Sequence, residues 1–151
     1  MPRDRRGTGV VRRSGRVFVD SGAWIAFFSA RDRHHREADR MLRAAVSRRV
    51  PLFTTNLIIA ETHRFLLFHV SPQAAARVID RVETHPGVTL AFATVAHHKA
   101  AREWLARLAD QRISYTDAVS FAVMEAVGCS TALSFDHHFS LAGFRLWQHD
   151  A

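Results

Sequence analysis

Three apolar, β-prone residues, Val17-Phe18-Val19, run directly into Asp20, and Ser21-Gly22-Ala23 then open an apolar helical run at Trp24. This is how a buried strand delivers one acidic group to the edge of a sheet. A strand buried on both faces has little reason to end in an unpaired charge, because desolvating a lone carboxylate is costly. Asp20 therefore either caps the following helix or is placed for chemistry, and this stretch alone supports both readings equally. The same syntax returns late in the chain, where Thr131 to Phe135 ends on Asp136.

Between these two points strand and helix signals alternate. The spacing predicts strands at Val17–Val19, Pro51–Thr54, Val88–Phe92, Thr131–Phe135 and Phe144–Trp147. Helices are expected over Gly22–Ser29, Arg33–Arg48, Leu57–Val70, Pro72–Thr84, Val95–Leu108 and Tyr115–Val127, with Asn56, Thr94 and Ser114 as caps, Ser71-Pro72 as a helix start and Gly128 as a stop. In the second helix Ala38, Met41, Leu42, Ala45 and Val46 recur at helical spacing and leave the arginines toward water. The fold class is α/β, a three-layer sandwich with a central parallel β-sheet flanked by helices, its crossovers right-handed. Ligands of such sheets gather at the carboxyl ends of the strands, where strand order reverses.

At 151 residues and 48% apolar, the chain suits one globular domain over residues 17–151, preceded by a basic arm at residues 1–16. A single cysteine, Cys129, leaves no internal disulfide, and no apolar run is long enough for a membrane span or a secretion signal, so a cytoplasmic protein is expected. The net charge of +7 is local: residues 1–16 carry +5 and residues 31–49 carry +4, while residues 50–151 carry −1. Arginine clusters of this kind suit phosphate contacts, although twenty Arg against one Lys also reads as a coding bias.

Four acids satisfy the rule for strand ends. Asp20 and Asp136 follow strands, and Asp117 lies in Ser114-Tyr115-Thr116-Asp117, which is also a capping pattern. Glu61 shares a helical face with Ile58, Phe65 and Phe68, a face that reads as core. Arg64 is poorly placed to pair with it inward, since it lies three residues on in the same helix. Taken together the four fit a site for a hard divalent ion, Mg²⁺ or Mn²⁺, which prefers carboxylate oxygens and water. The chemistry such a site permits is metal-assisted phosphodiester hydrolysis.

The segments FVDSGAWIAFF, TTNLIIAETHRFL, SYTDAVSFAVM and SFDHHFSLAGF, in this order and spacing, resemble the signature segments of PIN domains, and more closely those of VapC-like toxin ribonucleases. The resemblance covers residues 17 to about 147 and implies a metal-dependent endoribonuclease. It further implies a cognate antitoxin partner, an RNA substrate and a homodimer. Asp20, Glu61, Asp117 and Asp136 match the family's acidic quartet, and Thr116 matches the small hydroxylated residue that supports the third acid. In DHHF, His138 corresponds to a residue able to reach a scissile phosphate or to pack against the strand end, and packing is the preferred reading.

Other features carry less. His34-His35 and His97-His98 are adjacent in helices and point about 100° apart, so neither pair chelates a metal. Tyr115, Trp24, Phe27 and Phe28 offer rings for base stacking, yet rings at such spacing are more often core or dimer surface. A Rossmann site would want three glycines where Asp20-Ser21-Gly22-Ala23 has one, and no Gly-x-Ser-x-Gly elbow occurs. An aspartyl phosphotransferase built on Asp20 leaves Glu61 without a role. Two alternatives stay open: a stand-alone RNA-processing nuclease, and a catalytically idle RNA-binding domain of the same fold.

Overall fold

The computed structural model describes residues 15–147, so most of the basic arm, residues 1–14, lies outside the described residues. Five parallel strands form one sheet: β1 (Val17–Val19), β2 (Leu52–Thr55), β3 (Val88–Ala91), β4 (Thr131–Leu133) and β5 (Arg145–Leu146), in the order β3-β2-β1-β4-β5. The central strand β1 is buried along its whole length, which is why its residues are continuously apolar rather than alternating. Seven helices connect the strands: α1 (Ser21–Phe28), α2 (His35–Ser47), α3 (Asn56–His69), α4 (Pro72–Thr84), α5 (Val95–Arg107), α6 (Tyr115–Ala126) and α7 (His138–Leu141).

The chain builds outward from β1 through β2 to β3, then crosses back to β4 on the other side of β1. Right-handed crossovers in opposite directions place their helices on opposite faces. Accordingly α1, α2, α3 and α4 pack among themselves, and α5 packs with α6. Phe18 on β1 is fully buried and meets Phe53 edge-on at 5.2 Å and Phe139 at 6.0 Å. Phe121 of α6 meets Phe139 edge-on at 5.2 Å, so α7 is fastened to the core through one ring. No helix among the described residues is long and apolar enough to cross a membrane.

Several local expectations are corrected. The cap of α3 is Thr55, whose hydroxyl accepts from the Ile58 N–H at 3.2 Å; Asn56 instead accepts from the Ala93 N–H at 2.9 Å and ties α3 to the loop after β3. The buried face of α3 is Ile58, Ile59, Thr62 and Leu66, so Glu61 is not core-facing, and Phe65 and Phe68 are exposed. Val46 of α2 is likewise half exposed beside the buried Ala38, Met41, Leu42 and Ala45. At the end of α6, Gly128 does take the left-handed conformation (φ 67°), and the Cys129 N–H returns to the Met124 carbonyl at 2.9 Å.

Candidate active site

Strand order reverses at β1, so the carboxyl ends of β1 and β4 lie side by side, with Phe18 opposite Ala132 and Val19 opposite Leu133. The Asp20 N–H donates to the Leu133 carbonyl at 3.1 Å, continuing the ladder one step beyond β1. Asp20 holds the position before α1, but its carboxylate makes no capping bond to that helix. It is buried at 5% exposure and accepts from the Ser134 hydroxyl at 2.9 Å. The capping reading of Asp20 therefore fails.

Ser134 links two of the acids, since its oxygen also accepts from the Asp136 N–H at 3.0 Å. Asp136 turns the chain into α7: its Oδ1 accepts from the His138 N–H at 3.0 Å, and its Oδ2 lies 2.9 Å from His138 Nδ1. The same Nδ1 is 3.7 Å from Asp117 Oδ2, so the His138 ring lies between the acid after β4 and the acid on α6 and is bonded to the first. A carboxylate only accepts, so the proton faces it from Nδ1. Asp117 is held by a reciprocal capping box: its Oδ2 accepts from the Ser114 N–H, and the Ser114 hydroxyl accepts from the Asp117 N–H, both at 3.1 Å. Capping and site placement are thus one arrangement.

Glu61 enters from α3, where its Oε1 accepts from the Ser21 hydroxyl at 2.6 Å. Arg64, weighed as its partner, lies over the Phe68 ring at 5.1 Å instead. Asp20 joins the set electrostatically. Burial pushes its carboxyl up to about 7, with the like charges of Asp117 and Glu61 pushing the same way, while the Ser134 hydroxyl and the Ser21 backbone N–H pull it back. Thr116 precedes Asp117 and accepts the Ser120 hydroxyl on its backbone carbonyl at 2.9 Å.

A cavity of about 420 Å³ is lined among others by Asp20, Ser21, Asp136 and His137, while Glu61 and Asp117 are not among its lining residues. Its far wall comes from the loop between α1 and α2, which contributes Asp32, Arg33 and His34. Ligating atoms of Asp136, His137 and His138 lie within 4.8 Å of one another. The oxygen donors Asp20, Glu61, Asp117 and Asp136 are of the kind a hard divalent ion takes, and a cation would relieve the like-charge repulsion on the buried Asp20 carboxyl. Ser21, Ser134, Arg33 and His34 escaped the sequence reading. Ser21 and Ser134 had a signal, each being a hydroxyl within two residues of a strand-end acid; Arg33 had only its membership of the arginine-rich residues 31–49, and tertiary packing brings its loop and His34 to the cavity.

Of the other aromatic expectations, Trp24 is core, its indole N–H donating to the Thr54 hydroxyl at 3.3 Å. Tyr115 is 45% exposed, and its hydroxyl meets His98 Nδ1 at 2.9 Å.

Residues 17–145 match the PIN domain, and the chain belongs to that family. It is 35% identical over 129 residues to the 23S rRNA-specific endonuclease VapC20 of Mycobacterium tuberculosis, covering 85% of this chain and 95% of that one. It is 29% identical over 127 residues to the VapC ribonuclease of Archaeoglobus fulgidus, covering 83% and 80%. The crystal structure of Mycobacterium tuberculosis VapC20, described as a Sarcin-Ricin loop cleaving toxin, matches with a TM-score of 0.77 at 32% identity over 85% of this chain and 95% of that one. FitAcB from Neisseria gonorrhoeae shares the fold, with a TM-score of 0.65 at 11% identity over 87% and 96%.

Proposed function

We propose that this protein is a metal-dependent endoribonuclease that hydrolyses RNA phosphodiester bonds, the toxin of a toxin–antitoxin pair. The carrying observation is Asp20, a buried carboxyl at the sheet's switch point whose pKa is pushed to about 7 by burial and by the neighbouring Asp117 and Glu61. Asp20, Glu61, Asp117 and Asp136 are the residues that would hold Mg²⁺ or Mn²⁺. When bound, the ion supplies an acidified water as nucleophile and charge stabilisation for the leaving oxygen.

The chain's own groups do the positioning. Ser134 orients Asp20 and fixes the turn that presents Asp136, and Ser21 orients Glu61. The capping box fixes Asp117 on the first turn of α6, where Thr116 adjoins it. His138 is tied through Nδ1 to Asp136 at 2.9 Å, with Asp117 Oδ2 3.7 Å from the same nitrogen, so the ring orients the Asp136 carboxylate beside Asp117. The bond to Asp136 supports a positioning role for His138.

The two VapC relatives cover most of this chain, which supports the toxin reading over the stand-alone enzyme or the idle domain. A cognate antitoxin and a homodimer belong to the same proposal. The ribosomal substrate named for the mycobacterial relative makes 23S rRNA the first RNA to inspect. Induced expression in a bacterial host is expected to arrest growth and to create a discrete new RNA end, and Asp20→Asn is expected to do neither. Normal growth with RNA cleavage intact would instead favour the stand-alone enzyme.

A further inference from the structure

Arg33 stands at the rim of an acid-lined cavity, yet it forms no ion pair with any carboxylate among the described residues. Its Nε donates to His34 Nε2 at 3.1 Å. An arginine kept only as counter-charge would be expected to fork onto Asp32 or Asp136, which line the same cavity. This one is held by a neutral acceptor, which leaves its terminal fork for another anion.

The support beneath it is specific. The His34 ring lies flat on Phe135 with centroids 4.3 Å apart and planes within 7°. Because Arg Nε can only donate, His34 Nε2 accepts and the ring proton sits on Nδ1, which faces Glu37 Oε2 at 3.8 Å. The His34 N–H is taken by Asp32 Oδ1 at 2.8 Å, and the His35 ring anchors the next residue to the Ala26 carbonyl at 2.7 Å. The loop between α1 and α2 is thus pinned to α1 and to the residue immediately before Asp136.

We infer that Arg33 is a substrate-binding residue that forks onto a phosphate of the RNA backbone at the cavity mouth, with the His34–Phe135 stack as the ledge that positions it. This rests on the reading of the cavity as the RNA-cleaving site. A polyanion approaching a cavity lined by Asp20, Asp32 and Asp136 needs cationic contacts, and a guanidinium without a carboxylate partner among the described residues provides one with geometry matched to phosphate.

The test is RNA binding by the full-length protein carrying Asp117→Asn to stop cleavage, using a short fluorescein-labelled single-stranded RNA in magnesium across a salt series. Adding Arg33→Ala is expected to weaken binding about tenfold and to make the log–log salt slope shallower by about 0.7, the value for one lost phosphate contact on a single strand. Arg33→Lys is expected to keep the slope but weaken binding about threefold, because the fork is lost and the charge is not. Phe135→Leu should resemble Arg33→Lys, since it removes the ledge and leaves the charge. Unchanged affinity and slope for Arg33→Ala would overturn the inference. RNA that binds in an Arg33-dependent way but is never cut by the wild-type protein would sink the nuclease reading and leave the phosphate contact standing.

Discussion

Asp20→Asn is expected to lower RNA cleavage by about a thousandfold or more, since a metal-held transition state loses several kcal/mol and each 1.36 kcal/mol is tenfold. The same substitution is expected to stabilise the metal-free protein at pH 8. The folded pKa of Asp20, about 7, lies above the ordinary 3.8. The unfolded chain therefore gives up this proton more readily than the folded one. Stability from this group is fully present below about pH 4 and is lost as pH rises through 7. At 1.36 kcal/mol per pKa unit, the loss is at most about 4 kcal/mol. Asparagine keeps an acceptor for Ser134 and carries no charge to desolvate, so denaturant melts of the metal-free variant should show a flatter pH profile. Added Mn²⁺ should then stabilise the wild type at neutral pH and leave Asp20→Asn nearly unchanged. A parallel pH dependence for the two proteins would remove Asp20 as the buried titrating group.

At Asp117 two roles share one carboxylate, and two substitutions separate them. Asp117→Ala removes both the charge at the site and the acceptor for the Ser114 N–H, so it is expected to cut activity at least about a hundredfold and to cost about 1 kcal/mol of stability. Asp117→Asn keeps an acceptor oxygen; it should lose comparable activity while its stability stays within about 0.5 kcal/mol of the wild type. It also removes a like charge acting on Asp20, so the Asp20 titration, followed by carboxyl NMR, should move to lower pH. Full activity in Asp117→Asn would reduce this residue to a helix cap.

The strand-end acids were legible because their signal is local. Val17–Val19 into Asp20 and Thr131–Phe135 into Asp136 each place an apolar run directly against a charge, and a parallel sheet turns that order into position. The capping box of Asp117 was legible for the same reason, as Ser114 and Asp117 need only their spacing. The core-facing reading of Glu61 was mistaken. Because α3 is apolar on more than one side, Ile58, Phe65 and Phe68 at helical spacing looked like the core stripe, while packing buries the stripe of Ile58, Ile59, Thr62 and Leu66. Glu61 lies at the margin of that face, held by Ser21 rather than by burial. The short helix α7 was missed within DHHF because four residues carry no period to count. Arg33 was read within an arginine-rich helix suited to phosphate and His34 as a surface or partly buried histidine, and the stack on Phe135 is what brings their loop to the cavity.

The most direct measurement is cleavage of labelled RNA by the purified full-length protein with Mg²⁺ or Mn²⁺, after EDTA, and after the metal is restored, with Asp20→Asn run in parallel. The carboxylate site predicts cutting with metal, none in EDTA, recovery on readdition, and an inert variant throughout. Equal cutting in EDTA, or full cutting by Asp20→Asn, would contradict it.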